Sequence, residues 1–577
     1  MVSVLSEKSL ECLICLYNKT ENYECYCEEH TGFTAESFRF RFDSPRGEIM
    51  GKDLRTNATL LRLHRYPKLD GTAWDLKNVQ PFFPPLEQLF KTHTVNNLSD
   101  YGIRLSDELQ KIVDETHVQV KGKPVEVHRK TTMILSPFKW MRGDYGTIGL
   151  PKPEDVANDM QEKLQSPHTA GYVGALASII LSESECIHFP KVYGVFVGLA
   201  GKHTIDISDD YEDLSERHWF GENLGKTFEL KLRTPEATAE FTHTRGQRAG
   251  VQLGDEITLD DIQDVTAEHV ATPATRSLSN SDVDSDSSYA EDDEEDDGDD
   301  EYEIRSCDCS ESSEEEGLDD EGDDEPFAWA TFKDVPVITT VMEKCEGTYY
   351  DLAERFPEPE RHCAWMGQLI FALAFAQRNF GFTHNDLHGN NVMYVKTDKE
   401  FLYYKHNGQC YQIPTYGYIL KIIDFDRAAF SLRLIGMKDP RQFVSSQFQP
   451  NEEAAGQYNV EPFFTQNHPR IPPNSSFDLC RFATSMFWEM FPEGPTHDYT
   501  HPLFPVFKQW MSQTDGSSVL FRTSNPDRHD RYHGFDLYKA IARYCKDSAV
   551  PRREIAKLSS FQLSAVPVGQ ACLYIES

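Results

Sequence analysis

Apolar and polar positions change their period along the chain, and the changes mark its elements. From Thr116, the runs Thr-His-Val-Gln-Val and Pro-Val-Glu-Val-His-Arg-Lys flank a turn at Lys121-Gly122-Lys123, which predicts a β-hairpin. Tyr172 to Ser182 reads as a helix, and Phe189 to Phe196 as a strand. Val335 to Met342 is an almost unbroken apolar run of the kind found in buried strands. Met366, Leu369, Ile370, Leu373 and Phe375 then recur at helical spacing. A polar loop, Thr383 to Asn391, follows that helix and leads into a strand at Val392. Phe401 to Leu420 reads as a second hairpin, and Ile422-Ile423 as the end of a strand that stops at Asp424.

Between about Ala271 and Glu325 the pattern fails. Ser, Asp and Glu dominate there, and too few apolar side chains remain to offset chain entropy, so the stretch is expected to be disordered. Of the formal net charge of -37, a net -24 falls between Ser281 and Glu325 (25 acidic residues and Arg305), leaving -13 for the rest. That balance predicts no attraction to a nucleic-acid backbone or an anionic membrane. Ser281, Ser285, Ser287, Ser310, Ser312 and Ser313 lie among carboxylates, where acidophilic kinases could phosphorylate them. The tract reads as a solvated spacer, or as a docking segment for basic proteins.

Composition bounds the remainder. The chain has 577 residues, 39% of them hydrophobic and 12% aromatic, enough for two or three domains or for one large domain with insertions. No apolar run is long enough to cross a bilayer. Met1 to Leu10 lacks a secretory pattern. Thirteen scattered cysteines favour a reducing, intracellular compartment over a disulfide framework. Cys12, Cys15, Cys25 and Cys27, followed by His30, could hold a structural Zn2+, or could be free thiols in a small N-terminal segment.

Three short stretches carry chemistry. In His384-Asn385-Asp386-Leu387-His388-Gly389-Asn390-Asn391, an Asp held in a tight loop can accept a hydroxyl proton. The Asn five positions on can turn back to steady the loop and hold a metal ion, and His384 can hold loop backbone through its imidazole. In Ile422-Ile423-Asp424-Phe425, a carboxylate at a strand end can chelate Mg2+ bridging nucleotide phosphates. In Val127-His128-Arg129-Lys130, a strand lysine can reach α- and β-phosphates.

In this order, the three elements resemble the signature of the protein-kinase superfamily, over about residues 105–200 and 327–500. Lys130-Thr-Thr-Met-Ile-Leu-Ser-Pro-Phe-Lys-Trp-Met141, Ala454 to Asn459 and Arg531 to Lys539 further resemble serine/threonine protein kinases of large DNA viruses of eukaryotes. That would place the protein in host cytoplasm or a virion. The resemblance implies an α+β, bilobal kinase-like fold with a small β-rich N-lobe, a larger helical C-lobe and a long acidic disordered insertion. The expected division is an N-terminal extension at 1–95, the N-lobe at 96–200, the insertion at 201–326, the last N-lobe strand and hinge start at 327–343, and the C-lobe with its extension at 344–577. It implies ATP and Mg2+ as cofactors and a protein substrate. Asp386, Lys130 and His384 take catalytic roles. Asn391 and Asp424 hold Mg2+. Met342 is the gatekeeper, and the backbone of Glu343 and Cys345 faces adenine. Asp478 opens the long C-lobe helix.

The chain also departs from that pattern. No Gly-x-Gly-x-x-Gly precedes Lys130. The helix that normally supplies a Glu partner for the lysine has Gly174 at that point, with Glu183 and Glu185 late. Asp426 replaces the usual Gly after Asp-Phe, Asn385 replaces an Arg, and His388 replaces a Lys. No Ala-Pro-Glu motif is present. Two other readings therefore stand beside a protein kinase: a pseudokinase that binds nucleotide or partners, and a small-molecule kinase of the aminoglycoside or choline type, which shares Asp386-Leu387-His388.

Overall fold

The computed structural model describes residues 49–50, 63–66, 68–81, 101–152, 158–233, 263–265, 302, 304, 327–432, 440–450, 452–522, 530–532 and 534–575. The expected first hairpin forms: His117–Val120 pairs antiparallel with Lys123–Met133 (β1), with Val120 opposite Lys123. The two turn residues, Lys121 and Gly122, have φ of 49° and 77°, the left-handed conformation that a tight hairpin turn demands. Lys130 therefore sits inside a long strand rather than at the end of one.

The strand expected from Phe189 begins instead at Val192, after Pro190, and runs on to Asp206 (β2). Phe327–Glu343 (β3) is the spine of the sheet. One edge of β3 pairs along its length with β2. Its other edge pairs with β1 through Val337–Glu343 and with Glu229–Arg233 through Phe327–Thr331. Leu109–Ile112, Leu76–Pro81 and Gln263–Val265 extend this antiparallel sheet. Pairing Thr340 with Lys130 and Met342 with His128 sets these four residues on one face, because side chains alternate along a strand.

That face meets a helix, Ala170–Glu183 (α1), whose N-terminus is capped by the Thr169 hydroxyl accepting from Tyr172 N. Nearly all of α1 is buried, because the sheet covers one side and the C-terminal part the other. The opposite face of the sheet builds a separate core around Phe220, Phe332, Val337 and Val341.

The C-terminal part is organised by Pro359–Phe380 (α2), which starts at a proline and ends at Gly381 with φ 56°. Its apolar run is buried almost entirely. After the loop come Val392–Lys396 (β4), the hairpin Phe401–His406 and Gln409–Pro414, and Tyr418–Ile422 (β5), which pairs antiparallel with β4. Phe477–Met490 (α3) and Phe535–Tyr544 (α4) pack further on, and Cys572–Ile575 returns to pair parallel with Tyr403–His406. The described chain is thus a mixed α+β structure of a curled antiparallel sheet and packed helices.

The Cys12 to Cys27 group and nearly all of the acidic tract lie outside the described residues. Tyr302, within that tract, stacks on His468 with ring centroids 3.9 Å apart, and its carbonyl accepts from Arg543 Nη1 at 2.5 Å. Among the described residues the cysteines are free thiols, and no helix is long and apolar enough to cross a membrane.

Candidate active site

Elements far apart in sequence deliver the candidate residues to one place. Lys130 Nζ on β1 lies 2.6 Å from Asp424 Oδ1, although 294 positions separate them. It also lies 2.8 Å from Asp426 Oδ1. Burial alone would lower the Lys130 ammonium, but the Asp424 and Asp426 charges outweigh it and hold it above the usual lysine range. Burial likewise opposes the Asp424 charge, and Lys130 overcomes it, so Asp424 is ionised. The Asp424 side chain keeps 45% of its exposure and Asp426 only 18%, so Asp424 faces the open side.

The loop between α2 and β4 is over-determined. His384 Nε2 donates to Ile423 O at 2.7 Å, and its Nδ1 accepts from Asp386 N at 3.2 Å. These two bonds fix the neutral tautomer and tie the loop to the strand end that carries Asp424. Asn385 has φ 69°, a conformation that asparagine tolerates better than most residues. Its amide is held between Arg427 O at 2.8 Å and the Tyr458 hydroxyl at 2.8 Å. The buried Asp478, in the first turn of α3, accepts from His384 N and Asn385 N, each at 3.0 Å. A carboxylate at that helix end is favoured by the helix dipole. Asn391 Nδ2 donates to Asp386 O at 2.9 Å, which turns its amide oxygen the other way.

Asp386 has partners that its own motif did not reveal. Arg427 Nη1 lies 3.6 Å from Oδ2, and the Tyr538 hydroxyl donates to Oδ1 at 2.6 Å. Burial would raise Asp386, but Arg427 leads the charges that hold it well below the usual carboxylate range. His388 Nε2 is 3.9 Å from Asp386 Oδ1, yet burial pushes its pKa down to about 4, so it is neutral at pH 7 and leaves Arg427 the main counter-charge. Burial pushes the Tyr538 phenol up to about 12, so it remains a donor. Tyr538 comes from α4, 152 positions downstream, and its ring lies beneath the Arg481 guanidinium at 4.7 Å. Nothing in the sequence around Asp386 points to it.

Of the residues named for a nucleotide base, Met342 is buried on the Lys130 face of β3. The Glu343 amide is already used, donating to Lys191 O at 2.8 Å, and its carboxylate pairs with the buried Lys421 at 2.8 Å. Cys345 is partly buried, and its thiol is pushed up to about 12 by burial. Glu183 is not a partner of Lys130: its carboxylate accepts from Ser106 N and Oγ at 3.0 and 2.7 Å. No group of three or more His, Cys, Asp or Glu among the described residues is arranged to hold a metal ion by itself. Magnesium in nucleotide sites needs only one or two carboxylates with substrate phosphates. The open Asp424 carboxylate and the Asn391 amide oxygen are hard-oxygen groups of the type such a site uses.

No family model matches the chain. A stretch of 75 residues, 12% of the chain, is 43% identical to uncharacterized protein 098R of Invertebrate iridescent virus 6 and covers 12% of it. A stretch of 58 residues, 10% of the chain, is 41% identical to the serine/threonine-protein kinase haspin of Mus musculus and covers 8% of it. A stretch of 63 residues, 11% of the chain, is 32% identical to uncharacterized protein ZK177.2 of Caenorhabditis elegans and covers 21% of it. The chain is similar to these proteins only locally, over about a fifth of their length at most. The local likeness points weakly towards protein kinases.

Proposed function

We propose that this chain is a bilobal, kinase-like phosphotransferase that moves the γ-phosphoryl group of ATP to a protein hydroxyl, with serine or threonine favoured over tyrosine. The carrying observation is the junction of β1, the Asp386 loop and the β5 end. Lys130 meets Asp424 at 2.6 Å, and His384 ties the Asp386 loop to Ile423 at 2.7 Å. The local likeness to haspin supports the same reading.

The residues divide the work by charge. Lys130, fully charged, pairs with phosphate oxygens. Asp424 and Asn391 would hold Mg2+, which when bound neutralises phosphate charge. Asp386, kept ionised by Arg427, is a weak base, so it orients the acceptor hydroxyl and takes its proton late, as the new P–O bond forms. His384, Asn385 and Asp478 fix the loop that presents it. Little covalent chemistry falls to the protein, and positioning dominates. The Tyr538 hydroxyl already donates to Asp386, as an acceptor hydroxyl would.

The test is transfer of label from γ-labelled ATP to a generic protein mixture, by wild type, Asp386→Ala and Asp424→Ala. Each substitution is expected to cut turnover by about two to three decades. Metal-dependent turnover that both leave intact would end this assignment. Label appearing in small molecules and not in protein would move the acceptor class.

A further inference from the structure

Lys130 needs a fixed carboxylate partner, and the helix beside it offers none. α1 presents Gly171 and Gly174, one turn apart, to the sheet. A Cβ built on Gly171 would meet Ile338 Cδ1 at 3.3 Å and Thr132 Cγ2 at 3.4 Å. A Cβ on Gly174 would overlap Asp426 Oδ1 and lie 3.1 Å from its Cγ and 3.3 Å from its Cα. The space in front of Gly174 is therefore filled by the Asp426 carboxylate. That carboxylate reaches β1 at two points: Oδ1 is 2.8 Å from Lys130 Nζ, and Oδ2 accepts from Thr132 Oγ1 at 3.1 Å. Lys130 and Thr132 are two positions apart on one strand and so share a face. Asp426 bridges them.

We propose that Asp426 is the positioning residue that holds Lys130 in register for phosphate, delivered from the segment after Asp424 rather than from the helix, and that Gly174 is the vacancy it requires. This rests on the phosphotransfer reading above. The two departures from the kinase pattern, Gly174 and Asp426, are then one exchange: a carboxylate leaves the helix, and one from the segment after Asp424 takes its place between the helix and the same lysine. Asp424, more open, is left to the metal. One consequence is that Lys130 is coupled to the Asp424–Arg427 segment, so a shift of α1 alone would not release it.

The experiment is a double-mutant cycle in the full chain, with Asp426→Gly, Gly174→Ala, Gly174→Glu and the pairs. Three readouts are taken: ATP affinity without turnover, kcat and KM for ATP, and labelling of Lys130 by an amine-reactive probe mapped by mass spectrometry. Asp426→Gly should weaken ATP binding or kcat/KM by roughly ten- to a hundredfold, the scale of one charge-assisted contact. It should also raise Lys130 labelling. Gly174→Ala should act the same way by displacing Asp426, and the pair Gly174→Ala with Asp426→Gly should be no worse than Asp426→Gly alone. Gly174→Glu alone should be the most damaged, and Gly174→Glu with Asp426→Gly should regain much of the loss by restoring a helix carboxylate. Additive single effects, or Lys130 labelling unchanged in Asp426→Gly, would overturn the proposal. Failure of wild type to bind ATP would instead remove the phosphotransfer reading, and Lys130 labelling would still decide whether Asp426 holds the lysine.

Discussion

Replacing Tyr538 with phenylalanine deletes one oxygen from the site and keeps the ring. That oxygen lies 2.6 Å from Asp386 Oδ1 and carries its proton at neutral pH. A hydrogen bond to a charged group contributes about 1.5–3 kcal/mol. The ring stays packed against Phe535, 5.2 Å between centroids, and beneath Arg481, so the perturbation is local. An acceptor hydroxyl that takes the Oδ1 position at Asp386 displaces the Tyr538 hydroxyl in wild type but not in the variant. The difference converts to roughly a ten- to 150-fold rise in kcat/KM for the acceptor. The measurement is initial rate against acceptor concentration at saturating ATP and neutral pH. Arg427 remains beside Asp386, so the carboxylate stays ionised and no new titration should enter the profile between about pH 6 and 8. An unchanged or lower kcat/KM would refute the displacement argument and leave Tyr538 as a brace for Asp386.

Two further outcomes concern the scaffold. Asp478→Ala leaves two buried amides, His384 N and Asn385 N, without their carboxylate, so it should cost about 2–6 kcal/mol and abolish turnover; urea denaturation of the variant measures the first. A stability within about 0.5 kcal/mol of wild type would show that the loop is held by other contacts. Buried His188 donates from Nδ1 to Leu420 O and accepts at Nε2 from the Tyr404 hydroxyl, and burial pushes its pKa from 6.5 down to about 4. Between those values the unfolded chain binds the proton and the folded one does not. The stability is therefore complete above about pH 6.5 and is lost as pH falls towards 4, by roughly 2 kcal/mol at pH 5. In His188→Gln the drop in stability from pH 7 to 5 should shrink by that amount, and an identical drop in both proteins would contradict the assignment.

Short-range order was legible in the sequence because it depends on neighbours. Alternation and a Lys-Gly turn specify the His117–Met133 hairpin, and helical spacing with Pro359 and Gly381 bounds α2. Motif spacing likewise singled out Lys130, Asp386, Asn391 and Asp424, because a tight loop and a strand end constrain their residues locally. Other features depended on packing. The sequence has a glycine at 174 where the kinase pattern has a glutamate, and an aspartate at 426 where that pattern has a glycine. It could not show that the second fills the space left by the first, because that depends on how α1 lies across β1. Nor could it reveal Tyr538 at Asp386, since hydrogen bonds and charge pairing follow distance in space, and that distance was closed by α4 folding back over α3. The chain by itself determined which groups could do chemistry; tertiary packing decided which carboxylate holds Lys130 and which hydroxyl sits on Asp386.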